Sequence, residues 1–167
     1  GAYGIYLGSL NERFNRFDEA LEVIVSLLHE EKTSFHGKYF SLDEALNNPK
    51  GPQEKLPICI GGTGEKRTLP NVAKYATHWN LPSYEESVFA QKLNSLKYYC
   101  DALARDINEI KISTHVFIEE GTDDKKIIEQ LRIQQESGIN QSIIYFQPPV
   151  TEEKIKSVTE LITNHAS

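Results

Sequence analysis

Cysteine is scarce in this sequence. Cys59 and Cys100 are the only two among 167 residues. Two thiols build no disulfide framework, which excludes the small secreted scaffolds that depend on cross-links. Cys59 lies in an apolar run and Cys100 on an expected helix, so both read as small buried or half-buried side chains. A reducing, cytoplasmic setting fits that usage. Long hydrophobic runs are also missing. No stretch approaches the roughly 18 apolar residues of a membrane span, and no signal-peptide pattern opens the chain, so no membrane partner is expected. Positive charge is in deficit, with a net charge of −6 and a pI near 5.4. A basic footprint for nucleic acid is therefore absent. The five histidines, His29, His36, His78, His115 and His165, show no H-x-x-x-H spacing, and none pairs closely with a cysteine. No metal centre is expected. Without a G-x-S-x-G elbow, serine hydrolase chemistry has no support either.

What remains is the composition of an ordinary globular protein, 39% hydrophobic and 25% charged, in a chain long enough to bury one core. A single domain over residues 1–167 is expected. Phe14, Phe17, Leu21, Ile24 and Leu28 recur at three- and four-residue steps and predict a long helix over residues 11–32, capped by Ser9 or Asn11. Residues 35–42 read as a short extended piece turning on Gly37, and residues 43–52 as a loop dense in Asn, Pro and Gly. Four strands follow, centred near residues 58, 79, 114 and 144, each leading into a helix. The helix over residues 83–105 is expected to turn Val88, Leu96, Tyr99 and Leu103 inward. Gly138 is a natural stop for the helix over residues 123–137. Strands alternating with helices predict an α/β fold, a parallel sheet built of (β/α) units.

Residues 57–80 carry the most chemistry. Ile58-Cys59-Ile60 reads as a strand buried on both faces. Three glycines, Gly61, Gly62 and Gly64, come next, then a helix bearing Val72, Ala73 and Ala76, then the strand His78-Trp79-Asn80. Backbone amides in a glycine turn that feeds a helix suit a phosphate, because free N–H groups and the helix dipole both favour negative charge. Thr63 offers a hydroxyl, and Lys66 and Arg67 offer charge. The spacing fits neither the dinucleotide fingerprint, which needs glycine at the Arg67 position, nor the Walker loop. A phosphate site and a bare strand–helix turn both stay open from the residues alone. Trp79 and Asn80 read either as a pocket wall at a strand end or as core. His78 and His115 read as structural histidines before ligands.

Taken together these pieces resemble the luciferase-like monooxygenase superfamily, the TIM-barrel oxidoreductases that depend on F420 or a flavin. The resemblance rests on Ala2-Tyr3-Gly4, on Glu12-Arg13-Phe14 with Glu19-Ala20-Leu21, and on Phe35-His36-Gly37-Lys38-Tyr39-Phe40. It continues through the Pro49 to Pro52 loop and is densest at Pro57-Ile58-Cys59-Ile60-Gly61-Gly62-Thr63-Gly64-Glu65-Lys66-Arg67-Thr68-Leu69. It closes on Ala76-Thr77-His78-Trp79-Asn80, residues 100–106 and Gly138-Ile139-Asn140. It implies that Gly61, Gly62, Thr63 and Gly64 hold a cofactor phosphate, with Lys66, Arg67, Trp79 and Asn80 nearby. The cofactor implied is F420, with FMN as the alternative, acting on a small organic substrate. Pro70 departs from the family pattern and places the helix start near Leu69 or Pro70.

A complete (β/α)8 barrel takes roughly 250 residues. The resemblance covers the carboxyl half of one, a half or truncated TIM barrel of about four strand–helix units. Because Gly1-Ala2-Tyr3-Gly4 begins inside a recognisable motif, a cut rather than a natural start is expected. Three readings follow: a portion of a flavin- or F420-dependent oxidoreductase, a half-barrel subunit or scaffold that associates with itself or another chain, and a descendant without catalysis. No catalytic residue is assigned. Four parallel strands leave two edges, so a homo-oligomer or pairing with a missing N-terminal half is expected.

Overall fold

A computed structural model of the chain describes residue 4 and residues 6–53 and 55–165. The Ala2-Tyr3 part of the first motif lies outside them. The chain divides into two compact units, Gly1–Ile58 and Cys59–Ser167, at a boundary that no change in composition announces.

In the first unit α1 spans Leu10–His29. Ser9 and Glu12 form a reciprocal cap: the Glu12 amide donates to Ser9 Oγ at 3.3 Å and the Ser9 amide to Glu12 Oε2 at 2.7 Å. The helix stops short of Lys32 because Glu30 is already extended, and Thr33 begins a strand. That strand, β1 (Thr33–His36), pairs antiparallel with β2 (Ser41–Ala45). Residues 43–45 were expected in a loop; instead they extend the second strand, where the Glu44 amide donates to Ser34 Oγ at 2.9 Å. Glu19 ties α1 to the hairpin turn by accepting the amides of Lys38, Tyr39 and Phe40 at 3.0, 2.8 and 3.2 Å. Desolvation alone would raise the Glu19 carboxyl, and those amides overcome it and hold the group below its ordinary value.

The second unit is four strand–helix pairs. They are β3 (Cys59–Gly61) with α2 (Thr68–Tyr75), β4 (His78–Asn80) with α3 (Glu86–Ala102), β5 (Lys111–Ile118) with α4 (Asp124–Glu136), and β6 (Gln141–Phe146) with α5 (Glu152–His165). The strands lie side by side in sequence order, each parallel to the next. An order that never reverses has no topological switch point, and right-handed crossovers then bring every helix to the same face. This is the winding of a (β/α) barrel, as the sequence predicts.

Alternation along the strands separates the two faces. Ile60, Trp79, Ile112, Thr114, Val116 and Ile118 are buried at alternating positions. Val116 and Ile118 pack with Ile127 of α4 and Val158 of α5, flanked by Ile144 and Phe146. The intervening positions form the other face, where Cys59 is exposed and Phe117 and Tyr145 are 45% and 48% exposed. The expected burial of β3 on both faces is therefore not found. Cys100 is buried as expected.

Two helices differ from expectation. The inner side of α3 is Phe89, Leu96 and Cys100, whereas Val88 and Leu103 are exposed. Phe89 sets that rotation by stacking on Trp79, with ring centroids 6.3 Å apart. Helix α2 begins at Thr68, so Pro70 is its third residue. Its missing N–H costs nothing there, because the first four amides of a helix have no partner within it. The far end of α2 is closed by Arg105, which donates to the carbonyls of Ala73 at 2.8 Å and Ala76 at 2.6 Å. Gly138 ends α4 as expected: its amide donates to Gln135 and that of Ile139 to Gln134, each at 3.0 Å.

Candidate functional site

The glycine turn runs from the carboxyl end of β3 to the start of α2, and its two ends are fixed by different means. At the strand end, the Gly62 amide donates to the Asn80 carbonyl at 3.0 Å, and the Trp79 indole N–H donates to the Gly62 carbonyl at 2.8 Å. At the helix end, the amides of Thr68 and Leu69 both donate to the Gly64 carbonyl at 2.9 Å. The helix thus begins with its leading amides already capped by the turn. Between the two anchors, no described residue accepts from the amides of Thr63, Gly64 or Lys66.

Two of the three glycines are dictated by this geometry. Gly62 has a φ of +116°, which side-chain-bearing residues rarely adopt, and a Cβ on Gly64 would sit 2.9 Å from Thr68 Oγ1. A Cβ on Gly61 would meet only the Asn80 carbonyl, at 3.9 Å.

The residues singled out in the sequence separate into distinct places. Gly61, Gly62, Thr63 and Gly64 form the turn itself. Lys66 is exposed at its rim, and the Arg67 carbonyl accepts from Asn71 Nδ2 at 3.0 Å. Trp79 is 0% exposed and sits in the core beneath the turn. Of the two readings open for it, the core one holds: it supports Gly62 from behind and lines no surface. Asn80 points to the opposite face of the sheet, where its Nδ2 donates to Ser113 Oγ at 2.8 Å. His78 Nε2 meets the same hydroxyl at 2.7 Å. Burial, and then the charge of Lys111, lower the His78 pKa, so the neutral ring is favoured there. His115 rests against Tyr145 and Phe117 on that same face, with ring centroids 4.7 and 6.0 Å away. Among the described residues no group of three or more His, Cys, Asp or Glu side chains is placed to hold a metal ion.

One contact of the turn has no signal in the sequence. Glu65 Oε1 accepts from Lys92 Nζ at 2.8 Å and from Gln91 Nε2 at 2.9 Å. Both partners lie on α3, more than 25 residues away, and sequence spacing carries no trace of such a tie.

Chemically, the turn is a short cluster of unpaired N–H groups with one exposed lysine at its edge. That donor set fits the phosphate of a cofactor: amides at a strand's carboxyl end can donate to an anion without any side chain having to move. The clefts lined by Tyr84, Lys125 and Ile133, and by Leu131, Ile139 and Ile162, do not include the turn. It is an open cradle.

Parallel strands in sequential order, helices over one face and a glycine turn at a strand's carboxyl end define part of a (β/α) barrel. A model of the luciferase-like monooxygenase family matches residues 1–157, and the chain belongs to that family. Among curated relatives, the F420-dependent glucose-6-phosphate dehydrogenase of Kineococcus radiotolerans is 35% identical over 75 residues, which is 45% of this chain and 20% of the relative. Its counterpart from Microbacterium testaceum is 37% identical over 57 residues, 34% of this chain and 17% of that one. Among solved structures, an F420-dependent secondary alcohol dehydrogenase in complex with an F420–acetone adduct superposes with a TM-score of 0.83. It is 15% identical, over 97% of this chain and 64% of that one. The long-chain alkane monooxygenase LadA superposes at 0.75 with 14% identity, over 99% of this chain and 59% of that one. At such identities the superpositions show a shared fold. The chain spans less than two thirds of each of these proteins.

Proposed function

We propose that this chain is a portion of an F420-dependent oxidoreductase of the luciferase-like family, and that its glycine turn holds the cofactor phosphate. The observation that carries the reading is the set of unpaired amides at Thr63, Gly64 and Lys66, in a turn anchored on both sides. Lys66 and Arg67 add positive charge, and Gly61 leaves room for close approach. F420 is favoured because both curated relatives are named as F420-dependent; FMN is the alternative, since a riboflavin lyase with modified FMN shares the fold at a TM-score of 0.61. When bound, either cofactor supplies the redox chemistry, hydride transfer or oxygen activation toward a small organic substrate. The residues of this chain bind and orient the phosphate end. No side chain here is assigned to the reacting atoms. Titration of the chain with F420 and with FMN, followed by cofactor fluorescence, tests the proposal. Saturable binding that Gly61→Val weakens, with an unchanged circular dichroism spectrum, is the expected result. No binding at high micromolar concentration contradicts it.

A second reading has its own support. On one sheet face Phe117 and Tyr145 are 45% and 48% exposed, and among the described residues β3 and β6 each pair with one strand. Sheet edges and exposed aromatic side chains are surfaces that other strands cover. In this reading the chain is a half-barrel subunit or scaffold that associates with itself or with a chain supplying further strands, in the cytoplasm. Light scattering decides it: a mass above that of one chain supports association, and the mass of a single chain counts against it.

A further inference from the structure

We infer that Glu65 is a positioning residue of the glycine turn, held by Lys92 and Gln91 so that the amides of Thr63 and Gly64 stay fixed for an anion. The inference rests on the phosphate reading of the turn.

An acidic residue directly after Gly64 is at first sight misplaced, because a free carboxylate beside a bound phosphate repels it. Its surroundings resolve this. Glu65 Oε1 accepts from Lys92 Nζ at 2.8 Å and from Gln91 Nε2 at 2.9 Å. The Lys92 side chain is only 19% exposed and that of Glu65 37%, so the pair is shielded more than an ordinary surface pair. The lysine neutralises the carboxylate, and both donors come from α3 of the next strand–helix unit. The turn therefore has three fastenings: Gly62 to β4, Gly64 to the start of α2, and Glu65 to α3. The amides of Thr63 and Gly64 lie between the first fastening and the third. An anchored donor set binds an anion without the ordering cost that a loose loop incurs.

Positioning and simple charge predict opposite signs, and this makes the inference testable. If Glu65 acted only through its charge, Glu65→Ala would remove a repulsion and tighten binding of F420 or FMN. A positioning role predicts that Glu65→Ala weakens it, by about three- to tenfold for a partly shielded, charge-assisted contact. Glu65→Gln keeps an oxygen that accepts from Lys92 and Gln91, so binding close to that of the unaltered chain is expected. Lys92→Met leaves the carboxylate uncompensated and weakens binding at least as much as Glu65→Ala.

Amide hydrogen exchange at Gly62, Thr68 and Leu69, whose N–H groups are hydrogen-bonded at the two ends of the turn, measured without any ligand, gives a second readout. Faster exchange in Glu65→Ala than in the unaltered chain supports the fastening. Equal exchange, or cofactor binding as tight as or tighter than that of the unaltered chain, overturns it. If the unaltered chain binds neither F420 nor FMN, the phosphate reading fails, and the exchange comparison still decides whether Glu65 fastens the turn.

Discussion

The two faces of the four-stranded sheet are built from the same strands and end in opposite conditions. On one face Ile60, Trp79, Ile112, Val116 and Ile118 are buried under helices. On the other, one residue along in each strand, lie Cys59, Gly61, His78, Asn80, Ser113, His115 and Phe117. The covered face is mostly apolar, with Thr114 among its buried residues, and burial of that surface favours folding of the unit. The open face mixes hydroxyl, amide, imidazole and aromatic groups, a composition suited to lining a space. Strand periodicity of two makes this possible, because a single strand serves a core and a site at once. The glycine turn sits where the two meet: Trp79 holds Gly62 from the covered side, and Asn80 belongs to the open one.

This contrast can be broken most severely at Trp79. Truncation to alanine removes a fully buried indole together with its bond to Gly62, and is expected to cost about 3–5 kcal/mol. Chemical denaturation measures that loss directly. A smaller but more local effect is expected within the turn. Gly62→Ala forces a side chain onto a φ of +116° and should cost about 1–3 kcal/mol. Gly61→Ala places its methyl on the open face, so its thermal midpoint should stay close to that of the unaltered chain. If both glycines prove equally costly, the account of the turn is wrong.

On the open face the expected changes shrink. Phe117→Ala should cost the isolated chain about 1–2 kcal/mol, well below Trp79→Ala, because its ring is 45% exposed and packs on His115 and Tyr145. A loss as large as that of Trp79→Ala would mean that this face is covered in solution, and a parallel drop in mass by light scattering would identify the cover as another chain. The finest effect is a pH slope. The native pKa of His78 is lowered relative to that of the unfolded chain, so below about pH 6.5 the unfolded state takes up a proton that the native state resists. Stability is therefore full above that pH and falls as pH drops toward the lowered native value. His78→Gln should flatten this part of the profile in denaturation curves measured at successive pH values.

The division into strands and helices was legible because periods of two and 3.6 are local. Ser9, offered with Asn11 as a cap, and Gly138 mark their helix ends for the same reason, while the reciprocal bond to Glu12 emerges only in the structure. The rotation of α3 was not legible. Val88 and Phe89 are both apolar, and the ring of Trp79, on a different element, selects Phe89. The strand through Asp43 and Glu44 was hidden by acidic residues of low strand propensity that a cross-strand serine and lysine accommodate. The exposure of Cys59 has no signal in the sequence, because an apolar run cannot say which of its faces will be covered. At the site, the turn was visible in its glycines. The fastening of Glu65 by Lys92 and Gln91 was invisible, since the partners are brought together only by the packing of α2 against α3.

The claim that the turn holds a phosphate is tested most directly by comparing FMN with riboflavin, which differ by that group alone. Titrated under the same conditions against the same chain, FMN is expected to bind at least about tenfold more tightly, as several amide contacts to an anion imply. Inorganic phosphate should compete with FMN and leave riboflavin unaffected. Equal affinities for the two, with no competition by phosphate, would contradict the assignment of residues 61–64.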